Sequence, residues 1–513
     1  MHCDWKKLQN GSDIRGVALE GVADETVNLT PGVVRRLGQA FVSWLALKAQ
    51  KPATELTVSA GRDSRLSGPA LMQALTESMA TAGSCVYDFG MASTPAMFMS
   101  TVTSGFDCDG AIMLTASHLP FNRNGLKFFT AQGGLEKQDI SDILALAEKD
   151  EVPDEMPDAI AGSIEKRDFI SVYAAQLVSA IRQSVNHPEN FEQPLKGLKI
   201  VLDAGNGAGG FYASQVLAPL GADTSGSQFL DPDGTFPNHV PNPEDKAAMA
   251  AICQAVVANQ ADFGIIFDTD VDRGAAVEAT GKELNRNRLI ALIAAVVLQE
   301  HPGSTIVTDS ITSDGLTQFV ESDLKGIHHR FRRGYKNVIN EAISLNHAGQ
   351  ESWLAIETSG HGAMKENYFL DDGAYLISKL LAELAKARLA GKSLPDLIAN
   401  LKEPVESEEF RLKITADDFK AYGQQVIEQL KAFAATQADW QAVPNNYEGS
   451  RISCPSPTED GWLLLRLSLH DPVLPLNVES NVAGGVTQIA ARLLDFFQPF
   501  ESLDLTQLRQ FLP

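Results

Sequence analysis

Short runs of apolar and β-branched residues recur along the chain, each stopping abruptly at a loop of small and polar residues that leads into a helix-like stretch. At least six are distinct: LTVSAGRDSR from Leu56, AIMLTASH from Ala111, KIVLDAGNGAGG from Lys199, DFGIIFDTDVDR from Asp262, STIVTDSITS from Ser304 and WLAIETSGH from Trp353. Unbroken apolar runs of about four to six residues, without polar alternation, predict strands buried on both faces, as in the centre of βα units. The expected fold class is α/β. In such folds ligands sit beyond the carboxyl ends of the strands, and there this sequence concentrates its Ser, Asp, Glu, His and Arg residues. Several domains are therefore expected to aim their loops at one place.

Two stretches read as connections: the charged, proline-bearing EKDEVPDEMPDA from Glu148 to Ala159, and LPDLIANLKEPVESEE from Leu394 to Glu409. A third break is placed near Gly281. Beyond Glu409 a helical segment from Asp417 to Ala435 precedes two strand-like runs, GWLLLRLSL and VLPLNVES, which predicts a separate α+β domain. The expected division is 1–160, 161–280, 281–402 and 403–513.

Composition narrows the function. A chain of 513 residues exceeds one hydrophobic core and predicts several domains. Hydrophobic content is 44%, no window of about 18 unbroken apolar residues exists, and the start MHCDWKKLQNGSD lacks an apolar signal core, so a cytoplasmic protein without membrane association is expected. The five cysteines, Cys3, Cys85, Cys108, Cys253 and Cys454, show neither CxxC nor CxH spacing, which favours reduced thiols over disulfides or zinc. A formal charge of -23 argues against nucleic acid and anionic lipid. Phosphates are still open to it, because a few converging arginines and amides outweigh net charge at short range.

The strongest acidic signal is DTDVDR after FGIIF, with Asp268, Asp270 and Asp272. Three carboxylates so close do not all ionise cheaply without a cation among them. An EF-hand is excluded, since its sixth position would be Arg273 and its twelfth Ala279. Hard oxygen ligands at a strand end suit magnesium, with Arg273 placed to meet a phosphate oxygen; a solvated acidic turn is the bland alternative. Ser117, in MLTASHLPFNRNGLKFF, ends another buried strand and reads as a nucleophile or a structural cap. His118 beside it invites a hydrolase reading, but adjacent strand residues face opposite ways and no GxSxG elbow exists. A serine that is itself phosphorylated needs no triad when a metal and a cation such as Lys127 offset the developing charge.

GNGAGG, from Gly205 to Gly210, fits GxGxxG after a strand, with Asp223 and Asp231 bracketing the acidic position of a dinucleotide site. Asp203 would then crowd a pyrophosphate, which favours a glycine-permitted tight turn. In IETSGH, Glu357, Ser359 and His361 alternate, so an extended loop would present all three on one side to grip sugar hydroxyls, and His361 titrates near neutral pH. Arg466, Ser468 and His470 in RLSLHDP form an anion cradle in the last domain.

Together these loops resemble the α-D-phosphohexomutase family, the phosphoglucomutase and phosphomannomutase relatives, from about Ser12 to Glu479. SDIRG holds the family's amino-terminal arginine, here Arg15; TASHLP resembles TASHNP; DTDVDR resembles DGDGDR; IETSGH resembles GEMSGH; AGNGAGG is a structural family feature. The resemblance implies three related mixed α/β domains and a smaller α+β carboxyl-terminal domain around a central cleft. It implies phosphorylation of Ser117, with His118 and Lys127 as neighbours, and magnesium held by Asp268, Asp270, Asp272 and a phosphoserine oxygen. Phospho-Ser117 would donate to a hexose monophosphate, a hexose 1,6-bisphosphate would turn over, and the opposite phosphate would return to the serine, with Lys127 and His361 as candidate proton carriers. Arg15, Arg273, Glu357, Ser359, Arg466, Ser468 and His470 would bind phosphate or sugar, in a monomer or homodimer acting on small sugar phosphates.

The departures are Leu119, Thr269, Val271, Leu469 and His470, the last two in place of the small residue and threonine of RxSGTEP. They raise the alternative of a glucose 1,6-bisphosphate synthase. Two further readings compete: a nicotinamide-dependent oxidoreductase built on GNGAGG, and a non-catalytic sugar-phosphate sensor. The sensor has little need of an intact serine and metal pair.

Overall fold

In the computed structural model, residues 4–149, 162–468 and 471–512 are described. Most of the Glu148–Ala159 connection, Cys3 and the Leu469–His470 pair lie outside them. All six apolar runs become strands, at Thr57–Arg62, Gly110–Leu114, Ile200–Asp203, Phe263–Phe267, Thr305–Thr308 and Ser352–Ile356. Three of them lead into a further strand instead of the expected helix. After Gly110–Leu114 and Phe263–Phe267 the chain returns as antiparallel strands, Arg123–Thr130 and Gly274–Glu278, and after Ser352–Ile356 comes the short hairpin of Gly362–Met364 with Leu370–Asp371. Each of the first two reversals contains a left-handed residue, Ser117 (φ 50) or Val271 (φ 68), which turns the chain too tightly for a helix to start, and Gly360 (φ 93) precedes the hairpin.

The chain divides into two compact units, residues 1–289 with 359–397, and residues 290–358 with 398–513. In the first unit, Thr57–Arg62 lies between the parallel strands Cys85–Met91 and Gly110–Leu114, and Arg123–Thr130 carries the sheet on to Asp13–Val17 in antiparallel register. The helix Pro31–Ala49 starts where Thr30 accepts from the Val33 amide, with proline in the first turn, and stops at Gln50 in the left-handed region. Its Val34, Leu37, Phe41 and Leu45 recur at helical spacing and bury against Val58, Ile112, Leu126 and Phe128. Each such burial contributes about 1.5–3 kcal/mol. The same unit holds a second sheet, in which Phe263–Phe267 lies between Ile200–Asp203 (parallel) and Gly274–Glu278 (antiparallel).

In the second unit, Thr305–Thr308 runs parallel to both Ile327–Arg330 and Ser352–Ile356. An antiparallel sheet follows, in which Gly461–Leu465 and Glu406–Ile414 flank Val473–Ser480, and Ser450–Cys454 pairs beyond. The helix Phe419–Thr436, capped by Asp418, and the helix Gly485–Phe497 contribute to its core. The expected helix and both expected strands of this region are present. Glu406–Ile414 escaped the sequence reading because its outward residues are charged along nearly its whole length.

Candidate functional site

Ser117 closes the strand Gly110–Leu114, and its left-handed backbone turns the side chain toward the DTDVDR loop. Its hydroxyl donates to Asp268 Oδ2 at 2.9 Å, receives Arg273 Nη2 at 3.3 Å and lies 3.3 Å from His118 Nδ1. The loop is fixed from behind: Arg65, fully buried, donates to the carbonyls of Ser117, Leu119, Pro120 and Arg123, and its Nε lies 3.3 Å from Asp63. Two asparagines of the loop are structural. Asn124 donates to Ser67 and Asn122 to Glu25, so neither side chain lines an anion site.

Asp268, Asp270 and Asp272 are buried, with one ligand atom from each within 4.8 Å of the others. Lys127 spans two of them, 3.2 Å from Asp270 Oδ2 and in contact with Asp272 Oδ2, and Thr94 anchors the third side by donating its hydroxyl and amide to Asp270. Burial, with Asp272 and Asp270 alongside, drives the Asp268 carboxyl well above its ordinary range. Burial acts on Asp272 as well, but Lys127, His361 and Arg273 outweigh it and hold that carboxylate low. Asp270 Oδ1 and Asp272 Oδ1 are buried with no hydrogen-bond partner among the described residues. Unpartnered hard oxygens beside a carboxyl forced toward its neutral form are the donor set a divalent cation satisfies. The residues therefore fit a metal.

Arg273 is buried; besides Ser117 it reaches Asp268, Asn242 and His118. Burial, then Arg273 and Arg15, lower His118 to about 3, which makes it a neutral acceptor for Arg273. Arg15 lies on Asp13–Val17 opposite Gly125, bonded to Asp13. His361 forms a bridge with the Arg273 backbone, and its Nδ1 meets Asp371 Oδ2 at 2.5 Å. Burial disfavours its cation, but Asp371 and Asp272 reverse the balance and raise it. One unit thus brings together Arg15, Ser117, His118, Lys127, the three aspartates, Arg273 and His361.

The IETSGH segment is not extended. Thr358–Gly360 form a turn, so the alternation argument fails, and Glu357 and Ser359 fall in different compact units. Glu357 accepts from the Gly334 amide, and Thr358 donates to Asp309. Ser468 accepts from the Asp471 amide, and Arg466 is buried. His470 lies outside the described residues. GNGAGG is a packing device: a Cβ on Gly207 would meet Thr269 O at 2.6 Å, and the Ala208 amide donates to that same carbonyl. Asp203 binds the Gly205 amide, Gln228 and His239, so the turn buttresses the DTDVDR loop and leaves no open helix end for a pyrophosphate.

Sequence reasoning missed Arg65, Thr94 and Asp371. Arg65 stands in the GRDSR run, and its signal was an arginine at a buried strand end. Thr94 and Asp371 carry no local signal, since their partners are 176 and 10 positions away.

An α/β protein in which a strained serine is set against a buried carboxylate cluster, a lysine and an arginine is the class defined by this geometry. Profiles described as phosphoglucomutase/phosphomannomutase alpha/beta/alpha domains I, II and III match residues 6–153, 175–281 and 285–404. A phosphomannomutase/phosphoglucomutase of Pseudomonas putida is 31% identical over 473 residues, covering 91% of this chain and 90% of that one. A phosphoglucomutase of Neisseria meningitidis is 28% identical over 484 residues, covering 93% and 94%. The crystal structure of a phosphoglucomutase/phosphomannomutase family protein from Burkholderia thailandensis superimposes with a TM-score of 0.74 at 28% identity, covering 100% of this chain and 99% of that one. The chain belongs to the phosphoglucomutase/phosphomannomutase family, the α-D-phosphohexomutases. No helix among the described residues is long and apolar enough to cross a membrane.

Proposed function

We propose that the chain is a phosphohexomutase interconverting hexose 1-phosphate and hexose 6-phosphate, of glucose, mannose or both, through phospho-Ser117 and a hexose 1,6-bisphosphate. The observation that carries this reading is the position of the Ser117 hydroxyl, 2.9 Å from Asp268 and 3.3 Å from Arg273, inside a carboxylate cluster with unpartnered oxygens. In the forward half-reaction the bond from phosphorus to Ser117 Oγ breaks and one to the sugar hydroxyl oxygen forms. The hydroxyl proton passes to a base, His361 or Lys127, which delivers it to the departing Ser117 Oγ. In the return half Ser117 Oγ gives that proton back to the same group, the opposite phosphoryl group moves to Oγ, and the proton goes to the sugar oxygen left behind.

Asp268, Asp270 and Asp272, with an oxygen on Ser117, would hold magnesium, which when bound neutralises charge on the transferring phosphoryl oxygens. Arg273 and Arg15 take phosphoryl oxygens as they shift, and His118, neutral, keeps the Arg273 fork aimed. Glu357 and Ser359 take sugar hydroxyls, while Arg466, Ser468 and His470 take a phosphate. We place the enzyme in the cytoplasm, as a monomer or homodimer of four domains, 1–160, 161–280, 281–402 and 403–513.

The test is a coupled assay with magnesium on glucose 1-phosphate and mannose 1-phosphate, with and without glucose 1,6-bisphosphate, beside Ser117→Ala. Turnover that vanishes in the variant supports the phosphoserine route and ranks the sugars. Unchanged turnover in Ser117→Ala defeats it, and bisphosphate release without isomerisation favours a bisphosphate synthase.

A further inference from the structure

Between the helical turn Tyr212–Leu217 and the helix Lys246–Ala258 the chain runs without a regular element, and His239 lies in this loop with its side chain 3% exposed. Its Nε2 stands 3.1 Å from Asp203 Oδ1 and 3.0 Å from Oδ2, and its Nδ1 2.9 Å from Val240 O. Both Asp203 oxygens already accept a bond, from the Gly205 amide and the Gln228 side chain at 2.8 Å each, and a carbonyl oxygen only accepts. Both ring nitrogens therefore donate, which the imidazolium alone can do. Burial disfavours that cation, but Asp203, Val240 O and Asp245 outweigh it and raise the ring from its usual value.

The bonds continue toward Ser117. Val240 O also accepts from the Asn242 amide at 2.8 Å, and Pro241 between them rests on Gly205, where a Cβ would stand 2.8 Å from Pro241 Cβ. Asn242 Oδ1 accepts from Arg273 Nη1 at 3.0 Å and from the Glu244 amide at 3.0 Å. The other arm of the same guanidinium, Nη2, reaches the Ser117 hydroxyl at 3.3 Å and His118 Nδ1 at 2.8 Å. A guanidinium is planar, so fixing one arm sets the direction of the other. An unbroken run of hydrogen bonds thus leads from Asp203, at the end of a buried strand, through His239, Val240 O and Asn242 to the arginine on the serine.

We infer that His239 is a positioning residue for Arg273: its doubly donating ring ties Asn242 to Asp203, and Asn242 holds one arm of the guanidinium so that the other stays on Ser117. Val240 O is the joint, because it takes the ring proton and the Asn242 amide together. The kinetic consequence rests on the phosphohexomutase reading; the hold of His239 on Arg273 does not.

The experiment uses the full chain, wild type beside His239→Gln, His239→Asn, Asn242→Ala and the double variant His239→Gln with Asn242→Ala. Gln keeps a donor near the Nε2 position and Asn one near Nδ1, but neither supplies both. The first readout is the nitrogen NMR of the arginine side chains, with the Arg273 Nε–H resonance identified by its loss in Arg273→Lys; the second is kcat and KM on the preferred hexose 1-phosphate. Each single variant is expected to move the Arg273 resonance and to lower kcat about 10- to 100-fold with KM within a few-fold of wild type, the scale of a reacting group displaced by about an ångström. The double variant should lose no more than Asn242→Ala, since both changes cut one path. An additive loss, or wild-type kcat with an unmoved Arg273 resonance in whichever His239 variant folds, overturns the inference. If neither folds, a wild-type His239 ring with a single ring proton at pH 7 overturns it equally. If wild type turns over no hexose phosphate yet the Arg273 resonance moves in the variants, the positioning role stands and the mutase reading falls.

Discussion

The Nη2 of Arg65 donates to the carbonyl oxygen of Ser117 at 2.5 Å, so the serine is held by its backbone from one side while its hydroxyl faces the carboxylates on the other. Arg65 is wholly buried and donates to four loop carbonyls. Arg65→Ala would leave the carbonyls of Ser117 and Leu119 without this donor and Asp63 without its cation, and breaking a buried pair in this way costs about 3–5 kcal/mol. Urea unfolding should show that loss. A loss under about 1 kcal/mol would mean the loop holds Ser117 without the arginine.

The unpartnered oxygens of Asp270 and Asp272 give a stability signature for metal. A cation that binds only the folded chain stabilises it by about 2.7 kcal/mol at a hundred times its dissociation constant. EDTA should lower the melting temperature and magnesium restore it, with the magnesium response absent in Asp270→Asn. A wild-type melt indifferent to both would remove metal from the site.

How much of this was legible in the sequence depends on the range of each interaction. The buried strands were visible because an apolar run is a local pattern, and the DTDVDR and TASHLP loops because their chemistry is contiguous. The antiparallel returns after Ser117 and Val271 were not, since a left-handed φ at serine or valine leaves no mark in composition. Nor were the long-range partners: Thr94 meets Asp270 across 176 positions, and Arg65 reaches Ser117 across 52. In GNGAGG the expected glycine-permitted tight turn is present, since the glycines serve contact with Thr269 and not a ligand.

Val271, fully buried at φ 68, departs from the usual preference for glycine at such positions. The left-handed conformation costs a β-branched residue about 1–2 kcal/mol, which glycine does not incur. Replacing valine by alanine removes methyl contacts but keeps most of the strain. Glycine loses one more carbon and gains chain entropy when unfolded, about 1–2 kcal/mol together, which the released strain offsets. Val271→Gly should therefore unfold within about 0.5 kcal/mol of Val271→Ala, whereas at Val277, buried in the strand Gly274–Glu278, glycine should fall below alanine by about 1 kcal/mol. A glycine deficit as large at 271 as at 277 would show that the strain has been relieved elsewhere.

Glu479 sets a pH dependence in the second unit. Its carboxyl is buried beside Trp462, whose indole nitrogen donates to Oε2 at 2.9 Å, and burial raises it to about 7 from 4.5, against the pull of Arg451, that hydrogen bond and Arg330, with Asp314 adding to the rise. Below pH 4.5 the group is protonated in both states and its contribution is fully present. Between 4.5 and 7 the unfolded chain releases the proton while the folded chain keeps it, so stability falls, and above 7 the loss is complete, on the order of 3 kcal/mol for a shift of this size. Glu479→Gln keeps the hydrogen-bonding shape without the titration. Urea unfolding of both proteins from pH 5 to pH 8 should show wild type losing stability relative to the variant as pH rises. Parallel profiles would mean that the Arg451 charge and the Trp462 hydrogen bond hold Glu479 ionised in the folded chain throughout.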